Sequence, residues 1–338
     1  MTQSLRIAFV GSVNTSRTTL ESLVAHGMGL VGVLQLDAAA AKNVSGFAPL
    51  ADLAEQADAP CLAFAKVNEQ RVVSAVRDWQ PDLLFVVGLS QLVGQELLTT
   101  PRIGCVGFHP TLLPHGRGRA PIAWLALGET RGAATFFLMD EGTDSGPILV
   151  QEPFDVADDD YATDIEQHVM AAIRRALDRW LPQLKAGHWD PQPQDEAHAN
   201  YLGRRGREDG LIDWHAPASE IARLVRAAAR PFPGAYTYVK SHRLIIWRAS
   251  VVEDIPIHGV IGRILQLDGK ERPIVQTGRG HLRIEEHAWH PVPDAASPPD
   301  LRPGLKFGYT VEDEIYRLRR KLAELEGHAD PTTYLPPL

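Results

Sequence analysis

GCVGFHPTLLPHGRGRAPIAWLALGETRGAATFFLMDEGTDSG, residues 104–146, is the most informative run in this 338-residue chain. The apolar segment 103–108 reads as a buried strand, which puts His109 at its carboxyl end. In open α/β sheets that edge is where ligands bind. Pro110 and Pro114 stiffen the loop that follows. Gly116 and Gly118 let backbone pass close to a ligand, with Arg117 and Arg119 alternating with them. A second apolar run, 133–138, leads into an acidic turn holding Asp140, Glu141 and Asp144, with Gly142 and Gly146 for unusual backbone angles.

Outward from this run, apolar segments at 5–10, 30–34, 61–65, 83–87 and 148–151 alternate with helical ones such as 16–26. The alternation predicts an α/β fold: a Rossmann-like, mostly parallel sheet with helices on both faces, over 1–185. A long helix is expected to close this domain. Thr163 and Glu166 form its capping box, Ile165, Val169, Ile173, Leu177 and Leu181 its buried stripe, and Pro182 kinks or ends it. Residues 186–202 are Pro-rich and polar and read as a linker. In 203–310, a helix at 219–229 leads to strand-like segments at 235–239, 244–248, 260–265 and 273–276, separated by Gly, Asp and Pro. They predict a smaller C-terminal β-barrel-like (OB-like) domain.

The remainder, 311–338, reads as a helix and tail. Thr310 and Asp313 cap a helix over 311–325, with an apolar stripe of Val311, Ile315, Leu318, Leu322 and Leu325. Docking on its own chain is the simpler reading of that stripe, and a homodimer is the alternative.

A net charge of −8 disfavours a nucleic-acid surface. Two cysteines, Cys61 and Cys105, build no disulfide framework and fit a reducing compartment. The N-terminal apolar run reads as a first strand rather than a signal peptide, and no stretch is long enough to span a membrane, so a cytoplasmic protein is expected.

Taken alone, His109 is a surface or structural histidine, and Asp144 one acid of a polar turn. Together they form a unit that recurs in unrelated enzymes: an acid that orients a histidine able to move protons near neutral pH. Arg117 and Arg119 are either solvated or bind an anion, for which the guanidinium fork is suited. Cys105, His109 and His115 match no zinc spacing, so no metal is expected. Val10-Gly11-Ser12 lacks the later glycines of the dinucleotide fingerprint, which disfavours a nicotinamide or flavin cofactor.

The segments GFHPTLLP, RGRAP and MDEGTDSG, in that order, resemble the folate-dependent formyltransferases. GRRGREDGLIDW and the residues after it resemble the start of the C-terminal domain in the transfer-RNA and sugar-nucleotide branches, and are most similar to the latter. The resemblance implies 10-formyltetrahydrofolate as formyl donor and a primary amine as acceptor. It implies His109 as the proton-transfer residue and Asp144 as its partner. It implies a pterin held by the loops Gln91, Leu92, Val93 and Asp140, Glu141, Gly142, Thr143, Asp144, supported from the core by Phe85 and Met139.

One position departs from the motif. The family has an asparagine two residues before the histidine, where this chain has Gly107. Loss of one oxyanion donor typically costs about 2.7–4 kcal/mol of transition-state stabilisation. If only a donor is missing, Gly107→Asn retains or raises activity.

Among acceptors, a nucleotide-linked amino sugar is the primary expectation, with Arg117, Arg119, Arg204 and Arg205 for its diphosphate. Over 208–306, 13 Lys and Arg stand against 12 Asp and Glu, a balance that weakens a transfer-RNA acceptor. Initiator methionyl-tRNA, and an amino acid or N-hydroxyornithine, are the other acceptors considered. A formyl-folate hydrolase and a non-catalytic protein on the same fold complete the alternatives.

Overall fold

The computed structural model describes residues 5–42, 44–239, 242–253, 255–290, 297–308 and 311–326. They divide into two compact units, the first running to Gly206 and including Arg230–Phe232, the second holding Arg207–Ala229 and the residues from Pro233 on.

In the first unit the chain runs β1 (Arg6–Gly11), α1 (Asn14–Ala25), β2 (Gly29–Leu36), α2 (Ala51–Gln56), β3 (Cys61–Phe64), α3 (Gln70–Trp79), β4 (Leu83–Val87) and α4 (Gln95–Leu98). It continues through β5 (Gly104–Thr111), β6 (Arg117–Gly118), α5 (Pro121–Leu127), β7 (Gly132–Leu138), β8 (Ile148–Phe154), α6 (Ala162–Lys185) and β9 (Tyr201–Leu202). Seven strands form one sheet in the order β3-β2-β1-β4-β5-β7-β8. The first five run parallel, β7 runs against them, and β8 pairs antiparallel with β7.

Alternation along the strands explains why both faces are covered. Ile7, Phe9, Phe85 and Val106 pack under α1 and α6 through Leu20, Leu23, Ile173, Leu177 and Leu181. Ala8, Val10, Leu84 and Cys105 pack under α3 and α4 through Val72, Val76 and Leu97.

The long helix differs in detail from its sequence reading. It starts after Tyr161, whose N–H donates to Asp164 Oδ2 at 2.9 Å, so the cap lies two residues before Thr163. It also runs through Pro182 to Lys185, because Leu181 and Leu184 continue the buried stripe. The segment 186–202 is no free linker. Gln192 exchanges backbone hydrogen bonds with Ile148, and β9 pairs with β6.

The second unit holds α7 (Ala218–Ala228), β10 (Ala235–Val239), β11 (His242–Val252), β12 (Ile264–Leu267), β13 (Pro273–Gln276), β14 (His281–Trp289) and α8 (Val311–Leu325). Its strands form an antiparallel sheet in the order β10-β11-β14-β13-β12. The strand missed in the sequence, β14, is central; its polar alternation (Arg283, Glu285, His287) masked the buried Leu282 and Ile284. Ile315, Leu318, Leu322 and Leu325 of α8 are exposed, so among the described residues nothing covers that part of the stripe. The expected Thr310 cap lies outside the described residues, as does the side chain of Asp313. No helix among the described residues is long and apolar enough to cross a membrane.

Candidate active site

β5 pairs in parallel with β4 from Leu83–Gly104 to Val86–Gly107, and there that ladder ends. The strand itself continues to Thr111, held by β7, with His109 opposite Thr135. His109 is therefore inside a strand rather than after one, yet two residues past the parallel ladder. Its period-2 partners Gly107 and Cys105 share its face. Cys105 is structural: buried, its Sγ 3.7 Å from the carbonyls of Leu97 and Leu98, its thiol pushed up to about 12 by desolvation.

The imidazole is almost fully buried. Nε2 lies 2.9 Å from the Gly116 carbonyl, which also accepts the Thr111 hydroxyl at 3.3 Å. A carbonyl only accepts, so this contact assigns the proton to Nε2. Nδ1 faces Asp144 Oδ2 at 3.5 Å.

Asp144 reaches that position by an unusual backbone. Its φ is +54°, a left-handed conformation that Asp tolerates better than most residues. Oδ2 also accepts the Gly118 N–H at 2.8 Å. Asp140 Oδ1 closes the turn by accepting the Gly142 N–H at 2.9 Å and the Ser145 hydroxyl at 2.8 Å. Gly146 is obligatory: a Cβ there would sit 1.7 Å from the Leu138 carbonyl oxygen.

The two loops assigned to the pterin lean on one cluster. Val93 and Met139 both pack against the apolar group around Cys105, Leu84 and Val86. Gln91 clips its loop to the one after β3, accepting the Val67 N–H at 2.7 Å and donating to Ala65 O at 2.9 Å. Asn68 completes the clip with Leu92 O and the Gly94 N–H. Leu92 itself is 90% exposed, and Glu141, Gly142 and Thr143 are exposed as well. Phe85 is fully buried, its ring against Phe136 and Trp180, so it belongs to the core and not to the ligand surface.

The four arginines separate. Arg117 is fully buried and all five of its donors are engaged: Nε and Nη2 on Gln194 Oε1, Nη1 and Nη2 on Glu196, and Nη1 on the Tyr201 hydroxyl. It is an internal clamp, not an anion site. Glu196, hydrogen-bonded to it, titrates below the usual carboxylate range. Arg119 and Arg204 are exposed, and Arg205 lies 5.1 Å over the Trp124 ring. Gln194 and Asn200 also reach the site, from the segment whose proline and polar content marked it as a linker. No sequence signal pointed to them.

Two family models match the chain: formyl transferase over residues 7–181, and the formyl transferase C-terminal domain over 206–290. The chain belongs to the formyl transferase family. It is a folate-dependent N-formyltransferase. A methionyl-tRNA formyltransferase from Geobacter metallireducens is 33% identical over 313 residues, 90% of this chain and 99% of that one. Among solved structures, the sugar 3N-formyl transferase WlaRD, with dTDP and 5-N-formyl-THF, has a TM-score of 0.60 at 15% identity, over 83% of this chain and 97% of its own. HypX from Aquifex aeolicus, in complex with tetrahydrofolic acid, has a TM-score of 0.60 at 17% identity, over 83% of this chain. This formyltransferase spans less than half of HypX, 44% of that chain.

The residues present fit a folate. The exposed Leu92 and the partly buried Val93 and Met139 give apolar surface of the kind a flat pterin ring covers.

Proposed function

We propose that this formyltransferase moves the formyl group of 10-formyltetrahydrofolate to the primary amine of a nucleotide-linked amino sugar. The pairing of β6 with β9 carries the choice of acceptor. Gly118 pairs with Leu202, and the Arg119 N–H donates to Leu202 O at 3.0 Å. Trp124 Nε1 donates to Gly203 O at 2.9 Å, and Arg205 follows over the Trp124 ring. Arg119, Arg204 and Arg205 thereby border the strand whose Gly118 N–H holds Asp144. A few guanidinium groups bordering that strand suit a diphosphate. The balanced charge over 208–306 supports the same reading, since a transfer-RNA surface gains most of its affinity from cationic contacts to phosphates.

When bound, the folate supplies the formyl carbon. The amine nitrogen of the acceptor forms a bond to that carbon while the bond from carbon to folate nitrogen breaks. One amine proton is lost, and the departing nitrogen gains one. With Nε2 committed to Gly116, His109 has Nδ1 for this transfer, and Nδ1 opens on Asp144. The carboxylate steadies a proton placed there, so the pair can take the amine proton and return it to the leaving nitrogen.

Methionyl-tRNA is the second reading, favoured by the 33%-identical relative. One assay decides: the protein with 10-formyltetrahydrofolate, a panel of nucleotide amino sugars and, separately, methionyl-tRNA, followed by mass spectrometry. A one-formyl mass gain on a sugar and none on the tRNA is expected; the reverse replaces the sugar reading.

A further inference from the structure

We propose that Gln194 and Asn200 are positioning residues of the formyl transfer, two amides of one surface segment that hold the two members of the His109–Asp144 pair. The proposal deepens the formyltransferase reading and rests on it. Asn200 Oδ1 accepts the Gly116 N–H at 2.5 Å, and the Asn200 carbonyl accepts the Arg117 N–H at 3.1 Å. Gly116 is thus held on both sides, its N–H by the Asn200 side chain and its carbonyl's peptide by the Asn200 main chain, and that carbonyl fixes His109 Nε2. Gln194 Nε2 donates to Asp144 O at 2.8 Å and Gly146 O at 2.7 Å, across the residue with the left-handed backbone.

The orientation of each amide follows from its partners. Arg117 has only donors, so the oxygen of Gln194 must face it, which turns the amide nitrogen to the two carbonyls. The Gly116 N–H likewise takes the oxygen of Asn200. Arg117, buried and saturated, therefore fixes Gln194, and Gln194 fixes the turn that presents Asp144. The Nδ1–Oδ2 separation of 3.5 Å depends on both anchors, since neither the imidazole nor the carboxylate is directly bonded to the other. A displacement of about 1 Å at such a pair can lower turnover about 10²-fold.

The test uses three variants of the full chain, with His109→Ala as a spectral reference. Gln194→Glu keeps the shape and the Arg117 contact but cannot donate to the two carbonyls. Asn200→Ala removes the acceptor for Gly116, and Asn200→Asp restores one. For Gln194→Glu and Asn200→Ala, kcat is expected to fall about 10²-fold, with KM for the folate within a factor of about three. Asn200→Asp is expected to recover most of its loss. In the unliganded protein, 15N spectra of histidine, assigned against His109→Ala, are expected to show His109 protonated at Nε2 in the wild type and in Asn200→Asp. In Asn200→Ala that tautomer is expected to be partly lost.

A fall in Tm with kcat and the imidazole signals unchanged would overturn the proposal, as would equal damage from Asn200→Asp and Asn200→Ala. If the wild-type protein formylates no amine, the functional reading falls, while the imidazole spectra still decide whether the amides position His109.

Discussion

Gly107 and Phe137 face each other across β5 and β7, and the Phe137 ring occupies the place where a side chain on residue 107 would begin. A Cβ there would lie 2.7 Å from Phe137 Cζ and 2.9 Å from Met139 Cγ. The asparagine that the resemblance implies at this position is therefore not merely missing; the space for its Cβ is taken. Gly107→Asn, expected from sequence to retain or raise activity, is expected from this packing to reduce both stability and turnover. Overpacking of this kind costs about 1–3 kcal/mol. Met139→Ala in the same chain is expected to recover part of the Tm loss because it vacates one of the two contacts. Thermal unfolding of the single and double variants checks this, and additive losses would show that Met139 is not in the way.

His109→Ala and Asp144→Asn are each expected to lower kcat by about 10²–10⁴-fold, the range of a lost general acid–base group. Asp144→Asn keeps an oxygen for the Gly118 N–H, so its far-UV circular dichroism and Tm should stay near those of the wild type. Near-normal turnover in either variant removes the pair from the mechanism.

The Arg117–Glu196 contact links pH to stability. The Arg117 hydrogen bond holds Glu196 below its ordinary range in the folded protein. Its contribution is present above the unfolded carboxylate value and is lost as pH falls through the lower, folded one. Arg117→Met is expected to lower Tm at neutral pH and to flatten the acid limb of Tm against pH. An acid limb as steep as in the wild type would show that this contact does not contribute to it.

Glu166 shows the opposite sign. Burial raises its carboxyl above the usual range, partly offset by a hydrogen bond from Asn14. The stability tied to its protonated form is complete below the unfolded value, about 4.3, and is lost as pH rises through the folded one. Glu166→Gln is accordingly expected to raise Tm at neutral pH, with the gain vanishing near pH 4. A gain that is the same at both values would point to a cause other than titration.

Legibility followed the range of the physics. Alternating apolar strands and a four-residue helix stripe are local patterns, and they disclosed the α/β unit, His109 near a strand end and Asp144 in a glycine-flanked turn. The errors fell where partners are distant in sequence. Arg117 reads as an anion binder until Gln194, Glu196 and Tyr201 are brought around it by β6–β9 pairing. Phe85, read as a support from the core, packs there against Phe136 and Trp180 and does not reach the ligand surface. Pro182, read as a kink or an end, does not end the helix, which continues through the buried Leu184 to Lys185.

By itself, then, the order of residues determined the fold class, the histidine and aspartate, and the family to which their motifs belong. Which nitrogen of His109 is held, what fills the space at Gly107, and which arginines stay exposed were decided only in three dimensions. The reason is that hydrogen-bond geometry and packing depend on how the folded chain sets each contact, from Gly116 against His109 to Asn200 against Gly116, which no local pattern encodes.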